Sequence, residues 1–204
     1  MESSNSSAGT RGSGVYLYWI PLGAGGSGFV QLNGRIYEAI TARREQRPSL
    51  HLHHTALVVS LPEGRYVVET MWPSPDVDGA RRGVVVEGPV FSRHLSFTRV
   101  FRYEVRCWRD GDLPDAGEAV GGARLVSGDP YTGRLLLSLT PSVPVFTWGR
   151  QVPEAGEMWN SNSVISWLLT RSGVDMDRVE PPSGGRAPGW GAGVSVARTG
   201  STVV

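Results

Sequence analysis

Two short stretches hold the residue types that perform general-base and nucleophilic chemistry. The first, His51-Leu-His-His54, runs straight into the apolar stretch Thr55-Ala-Leu-Val-Val59. A histidine at the mouth of a buried strand is held rigidly while its ring faces a cleft, as a general base requires. His54 occupies that position. The second stretch is Trp159-Asn-Ser-Asn-Ser163, followed by an apolar helical run. One side chain, Asn160 or Asn162, suffices to cap that helix. The others, with Ser161 and Ser163 among them, stand beside unsatisfied backbone N–H groups. A hydroxyl placed there lies where a helix dipole stabilises an oxyanion and lowers a nucleophile's pKa. The competing reading is an extended cap with no chemistry.

A reacting imidazole needs a third group to orient it. Glu69, on the next candidate strand, is available, and the turn between the strands decides whether it qualifies. Side chains alternate, so loop length fixes which residues share a face. A three-residue loop, Pro62–Gly64, pairs Leu61 with Arg65 and puts Glu69 opposite His54. A four-residue loop, Leu61–Gly64, pairs Ser60 with Arg65 and puts both on one face. Arg102 and Glu104, on the polar face of a later strand, are further candidates for a cleft wall. Trp159, beside the Asn/Ser cluster, and Trp72, Trp148 and Trp190, beside Gly or Pro, suit a cleft for a sugar, peptide or acyl chain, or pin loops. Arg186, in the turn-rich stretch Ser183–Trp190, has the reach to meet an anionic group.

Two other site types are weaker. His51 and His53 share one strand face, and with Glu69, Asp76 or His94 they would make a metal site. No HExxH or HxHxDH pattern is present, and strand-edge polar residues are the better account. Gly23-Ala-Gly-Gly-Ser-Gly28 matches G-x-G-x-x-G between a strand and a helix. Pro21 interrupts the strand, however, and no acid follows where a ribose would be held. A turn is the better account, so no cofactor and no metal are expected.

His54-Thr-Ala-Leu followed far downstream by Asn160-Ser-Asn-Ser-Val164 resembles the circularly permuted papain-like group. That group includes NlpC/P60-like and lecithin:retinol acyltransferase-like proteins. Gly156–Leu169 also resembles a "PNSNSF…L" segment of uncharacterised bacterial proteins in the same broad group. The resemblance covers about a quarter of the chain. It implies that the histidine strand comes first and that a nucleophile opens a later helix, with Ser161 in the position of the family's cysteine. The only cysteine here, Cys107, lies mid-strand on an apolar face, as a core residue does.

The composition excludes several chemistries. All 20 basic residues are Arg, so Schiff-base lysines and a P-loop lysine are ruled out. A formal net charge of +1 gives no bulk attraction to nucleic acid. With one cysteine, no disulfide forms within the chain. The N-terminus carries Glu2 and no apolar core of a signal peptide. The expectation is a soluble, cytoplasmic protein with no membrane span.

The elements that must position these groups are read from periodicity. Residues 1–14 read as a disordered tail, 15–180 as one α+β domain and 181–204 as a Pro/Gly-rich tail. Strands are expected at 15–20, 54–60, 65–70, 97–107, 135–139 and 145–148, and 83–87 is a short apolar run. Helices are expected at 31–46 and from about 160–163 to Arg171. Together they make a mostly antiparallel sheet with packed helices. The expected function is amide or ester chemistry in a papain-like cleft. Ser161 would be nucleophile, His54 base, Glu69 orienter and Asn160 an oxyanion donor, with Asn162, Ser163, Trp159 and Arg102 binding a small-molecule, peptide or acyl ligand. The alternative is a catalytically inactive binding or structural domain that retains the cleft.

Overall fold

A computed structural model describes residues 12–22, 50–73 and 83–200. The expected helix at 31–46, the glycine turn at 23–28 and Asp76 lie outside the described residues. Among the described residues there are seven strands: β1 (Gly14–Pro21), β2 (His51–Leu61), β3 (Gly64–Met71), β4 (Val84–Pro89), β5 (Arg102–Arg109), β6 (Ala123–Ser127) and β7 (Gly185–Arg186). They form one sheet in the order β4-β5-β3-β2-β1-β6, antiparallel throughout, with β7 added parallel to β2. The described residues also form three α-helices: α1 (Pro130–Leu139), α2 (Ser161–Arg171) and α3 (Trp190–Thr199). The α+β class is as expected.

Strands β1 and β2 are apolar at nearly every position because both sheet faces are covered. Val15, Leu17 and Trp19 of β1 and Leu57, Val59 and Leu61 of β2 join one core with Val164, Ile165, Leu168 and Leu169 of α2 and Ala192 and Val196 of α3. Tyr16, Tyr18, Ile20, Ala56 and Val58 face the other way and pack with Val67 and Leu113. A 3-10 turn at Pro114–Glu118 lies on that second side, where Ala116 packs against the same cluster.

Several expectations are corrected. Leu135–Leu139 is the end of α1, not a strand. Asp129 accepts from the N–H groups of Tyr131 and Thr132, and Pro130 fills the first turn, a start signal that outweighs the apolar run. Residues 97–101 are not strand; β5 starts at Arg102, after a 3-10 turn at Arg99–Phe101. Of 145–148, only Trp148 makes a sheet-like contact, an isolated bridge to Val90. Of the expected tail at 181–204, the described residues 181–200 are not irregular, because they supply β7 and α3, and α3 packs into the main core.

Candidate functional site

Asn160 caps α2 with its side-chain oxygen, which accepts from Asn162 N at 2.9 Å and Ser163 N at 3.4 Å. Ser163 Oγ returns the bond, accepting from Asn160 N at 3.0 Å. This is the reciprocal capping box. The same residues then bind the helix start to its surroundings. Asn160 Nδ2 donates to Pro188 O at 2.8 Å, and Ser163 Oγ donates to Gly189 O at 2.8 Å. Asn162 is 2 % exposed and is satisfied on both sides. Its Nδ2 donates to His53 O at 3.0 Å and Pro188 O at 2.9 Å, and its Oδ1 accepts from Thr55 Oγ1 at 3.0 Å. Ser166, one turn on, donates to Trp190 O at 2.8 Å. The cluster therefore locks α2 onto β2 and onto the turn entering α3. Gly189 makes the approach possible, because at φ 82° a β-carbon there would come within 2.6 Å of Asn160 Oδ1 and Met158 O.

Ser161 is the one member of the four with no such bond. It occupies the first position of α2, largely buried. The expected partner is not beside it. His54 pairs with Ile20 in the β1–β2 ladder and so takes the face of Ile20, Ala56 and Val58. α2 lies on the opposite face, with Trp19, Thr55 and Leu57. Ser161 and His54 are thus separated by the sheet, and the expected dyad is not assembled.

His53 takes the place expected of His54. It is 3 % exposed, on the face of Thr55, and its carbonyl is held by Asn162. Its ring lies against the β7 strap, where a β-carbon on Gly185 would approach within 2.7 Å of Nδ1. Nδ1 is buried without a hydrogen-bond partner. Burial, and then the neighbouring His51, hold the His53 pKa below its ordinary value, so the ring is neutral near pH 7. Thr70 Oγ1, Trp19 Nε1 and Trp159 Nε1 are also buried without hydrogen bonds.

The turn question is settled in favour of the longer-loop register. Ser60 pairs with Arg65 and Leu61 with Gly64, so Glu69 shares a face with His54. Both are therefore on the side away from Ser161. Burial raises the Glu69 carboxyl to about 7, with Arg106 pulling it down and Asp115 pushing it up. His54 is held below its ordinary value by burial, against the pull of Asp115. Glu104 and Arg106 lie in the same strand, and Arg106 donates through Nε (3.0 Å) and an NH2 group (2.6 Å) to Glu104 Oε2. Arg102 binds Glu87 at 3.1 Å and Ser96 O at 2.5 Å, which ties β5 to β4 instead of lining a cleft at α2. Burial also raises the Cys107 thiol pKa.

Among the described residues no group of three or more His, Cys, Asp or Glu side chains is placed to hold a metal ion. His94 sits exposed in a 3-10 turn at Arg93–Leu95, and Glu69 is across the sheet from His53. Trp159 is buried and stacks on Phe146 at 4.8 Å, while Trp190 stacks on Trp19 at 4.8 Å. Arg186 belongs to β7 and pairs in register with Leu52. Comparison with protein-family models, curated proteins and solved structures finds no match.

Sequence reasoning missed Thr55 and Ser166, and weighed His53 only as a metal ligand. β2 is apolar on both faces, so alternation cannot say which histidine turns toward the helix layer.

Proposed function

We propose that this chain is a non-catalytic binding domain with a papain-like layout, in which a histidine strand precedes a helix whose polar start is laid against it. The observation that carries this reading is that three of the four polar residues at the start of α2 are already satisfied, and that the fourth, Ser161, lies across the sheet from its expected base. Asn160, Asn162 and Ser163 each bond to backbone or to Thr55, and the expected base faces the other side of the sheet. Groups committed to a lock are not free to stabilise an oxyanion.

A second reading has its own support. Ser161 carries no bond, and His53 Nδ1 is an unpartnered acceptor or donor on the same face. A buried orphan nitrogen such as His53 Nδ1 calls for an explanation. In that reading Ser161 and His53, not His54, perform acyl transfer.

The test is labelling with a fluorophosphonate probe, alongside denaturant unfolding. The binding-domain reading expects folded wild type to remain unlabelled. It also expects Asn162→Ala to cost about 2–4 kcal/mol, since it strands Thr55 Oγ1 and the His53 carbonyl, and Ser161→Ala to stay within about 0.5 kcal/mol. Labelling that is lost in Ser161→Ala and in His53→Ala, with both variants folded, overturns it and establishes the hydroxyl dyad.

A further inference from the structure

β4 and β5 are joined by residues 90–101, which make 3-10 turns at Arg93–Leu95 and Arg99–Phe101. Phe91, Phe97 and Val100 in this segment are 60 %, 77 % and 78 % exposed. Single exposed apolar residues need no explanation, but three within ten positions are a local concentration of exposed apolar side chains. Phe91 is also held at φ 58°, a left-handed conformation unfavourable for a bulky side chain. Two bonds pin it there: Phe91 N donates to Trp148 O at 3.0 Å, and Phe91 O accepts from Arg150 Nε at 2.8 Å. Trp72, 43 % exposed, stacks on the same Trp148 at 6.0 Å. The fold thus presents an apolar ring to solvent against its backbone preference, and such strain concentrates at functional surfaces.

Within residues 88–103 the permanent charges are all positive, and the flanking Glu87 and Glu104 each face an arginine of the segment. From Gly88 to Tyr103 there is no Asp or Glu, while Arg93, Arg99 and Arg102 are present. Arg102 is bonded to Glu87, and Arg99 lies 3.9 Å from Glu104. Arg93 and His94, between Phe91 and Phe97, and Arg150, beside Phe91, are exposed. The net charge of the whole chain conceals this local basic stretch.

Projecting apolar side chains interleaved with exposed guanidinium groups match a bilayer with anionic headgroups. The rings and the Val enter the acyl boundary while the cations meet phosphates. We infer that residues 90–101 attach this protein peripherally to an anionic lipid surface. A protein partner would need a recess shaped to Phe97 and Val100. A bilayer accepts projecting side chains without one. The attachment stands apart from any reactivity of Ser161.

The test is co-sedimentation of the full chain with phosphatidylcholine vesicles, with and without about a third phosphatidylglycerol. Binding is expected only to the anionic vesicles. Phe97→Ser with Val100→Ser weakens it about tenfold or more, and Arg93→Gln weakens it about fivefold. Both sites are exposed, so thermal unfolding of the variants should match wild type. Three results overturn the proposal: no vesicle binding; binding insensitive to the apolar pair, which is charge attraction alone; or a wild-type dimer in sedimentation that the apolar pair dissolves without vesicle binding, which makes a second copy the occupant.

Discussion

His53 and His54 are adjacent in sequence, yet they meet different surroundings because a strand turns successive side chains to opposite faces. His53 faces the lock between α2 and β2; His54 joins Glu69 and Asp115 on the far side. Glu69 provides a residue-level prediction. Its pKa is raised by burial from 4.5 to about 7, so the folded state favours the neutral acid. That contribution to stability is fully present below the unfolded value and is lost as pH rises through about 7. Both histidines are lowered from 6.5, so their contribution has the opposite sign: present above that value, lost as pH falls. The difference between Glu69→Gln and wild type isolates the carboxyl. Glu69→Gln should raise Tm at about pH 8 and leave it nearly unchanged at about pH 5. An equal effect at both pH values would show that the carboxyl is ionised throughout. Glu69 was named as an orienter from its spacing, but its face depended on a turn whose length the sequence left open.

At the scale of elements, α2 and α3 pack through small residues. Gly193 of α3 lies where a β-carbon would overlap the Ser163 carbonyl and Ser166 Oγ. Ala in place of a helical Gly gains about 1 kcal/mol from propensity, while forcing apart a packed contact costs about 1–3 kcal/mol. The contact is with backbone, which cannot swing aside, so the steric cost wins. Gly193→Ala should lower stability by at least about 1 kcal/mol in denaturant unfolding. A neutral or stabilising result would mean that the two helices are less closely packed than described. α2 was legible because its apolar positions, its Asn cap and Gly173 mark both ends. α3 was not, because Trp-Gly-Ala-Gly-Val-Ser is poor in helix formers and is helical only where α2 covers it. α1 was misread as a strand because Leu135-Leu-Leu looks apolar throughout.

For the whole molecule, the C-terminal stretch completes the fold. β7 pairs with β2 at His51 and Leu52, and Pro188 and Gly189 supply carbonyls to Asn160, Asn162 and Ser163. Ending the chain at residue 184 removes those acceptors together with Ala192 and Val196 from the core. Such a truncation should lose cooperative thermal unfolding and expose apolar surface to a dye such as ANS. A sharp transition near that of the full chain would show that 185–204 is an appendage. Among the described residues no helix is long and apolar enough to cross a membrane, which is compatible with peripheral attachment through 90–101.

The sequence by itself determined the α+β class, the position of β1, β2 and β3 to within a few residues, the middle of β5, the capped start of α2 and the chemical types at two candidate stretches. Those features rest on local signals: alternation, caps and turn residues within one element. Tertiary structure alone decided which histidine faces α2, whether Glu69 shares its side, and that Asn162 locks one element to another. Each depends on register between strands or on a covering layer distant in the chain. An apolar strand buried on both faces carries no local mark of which side is which.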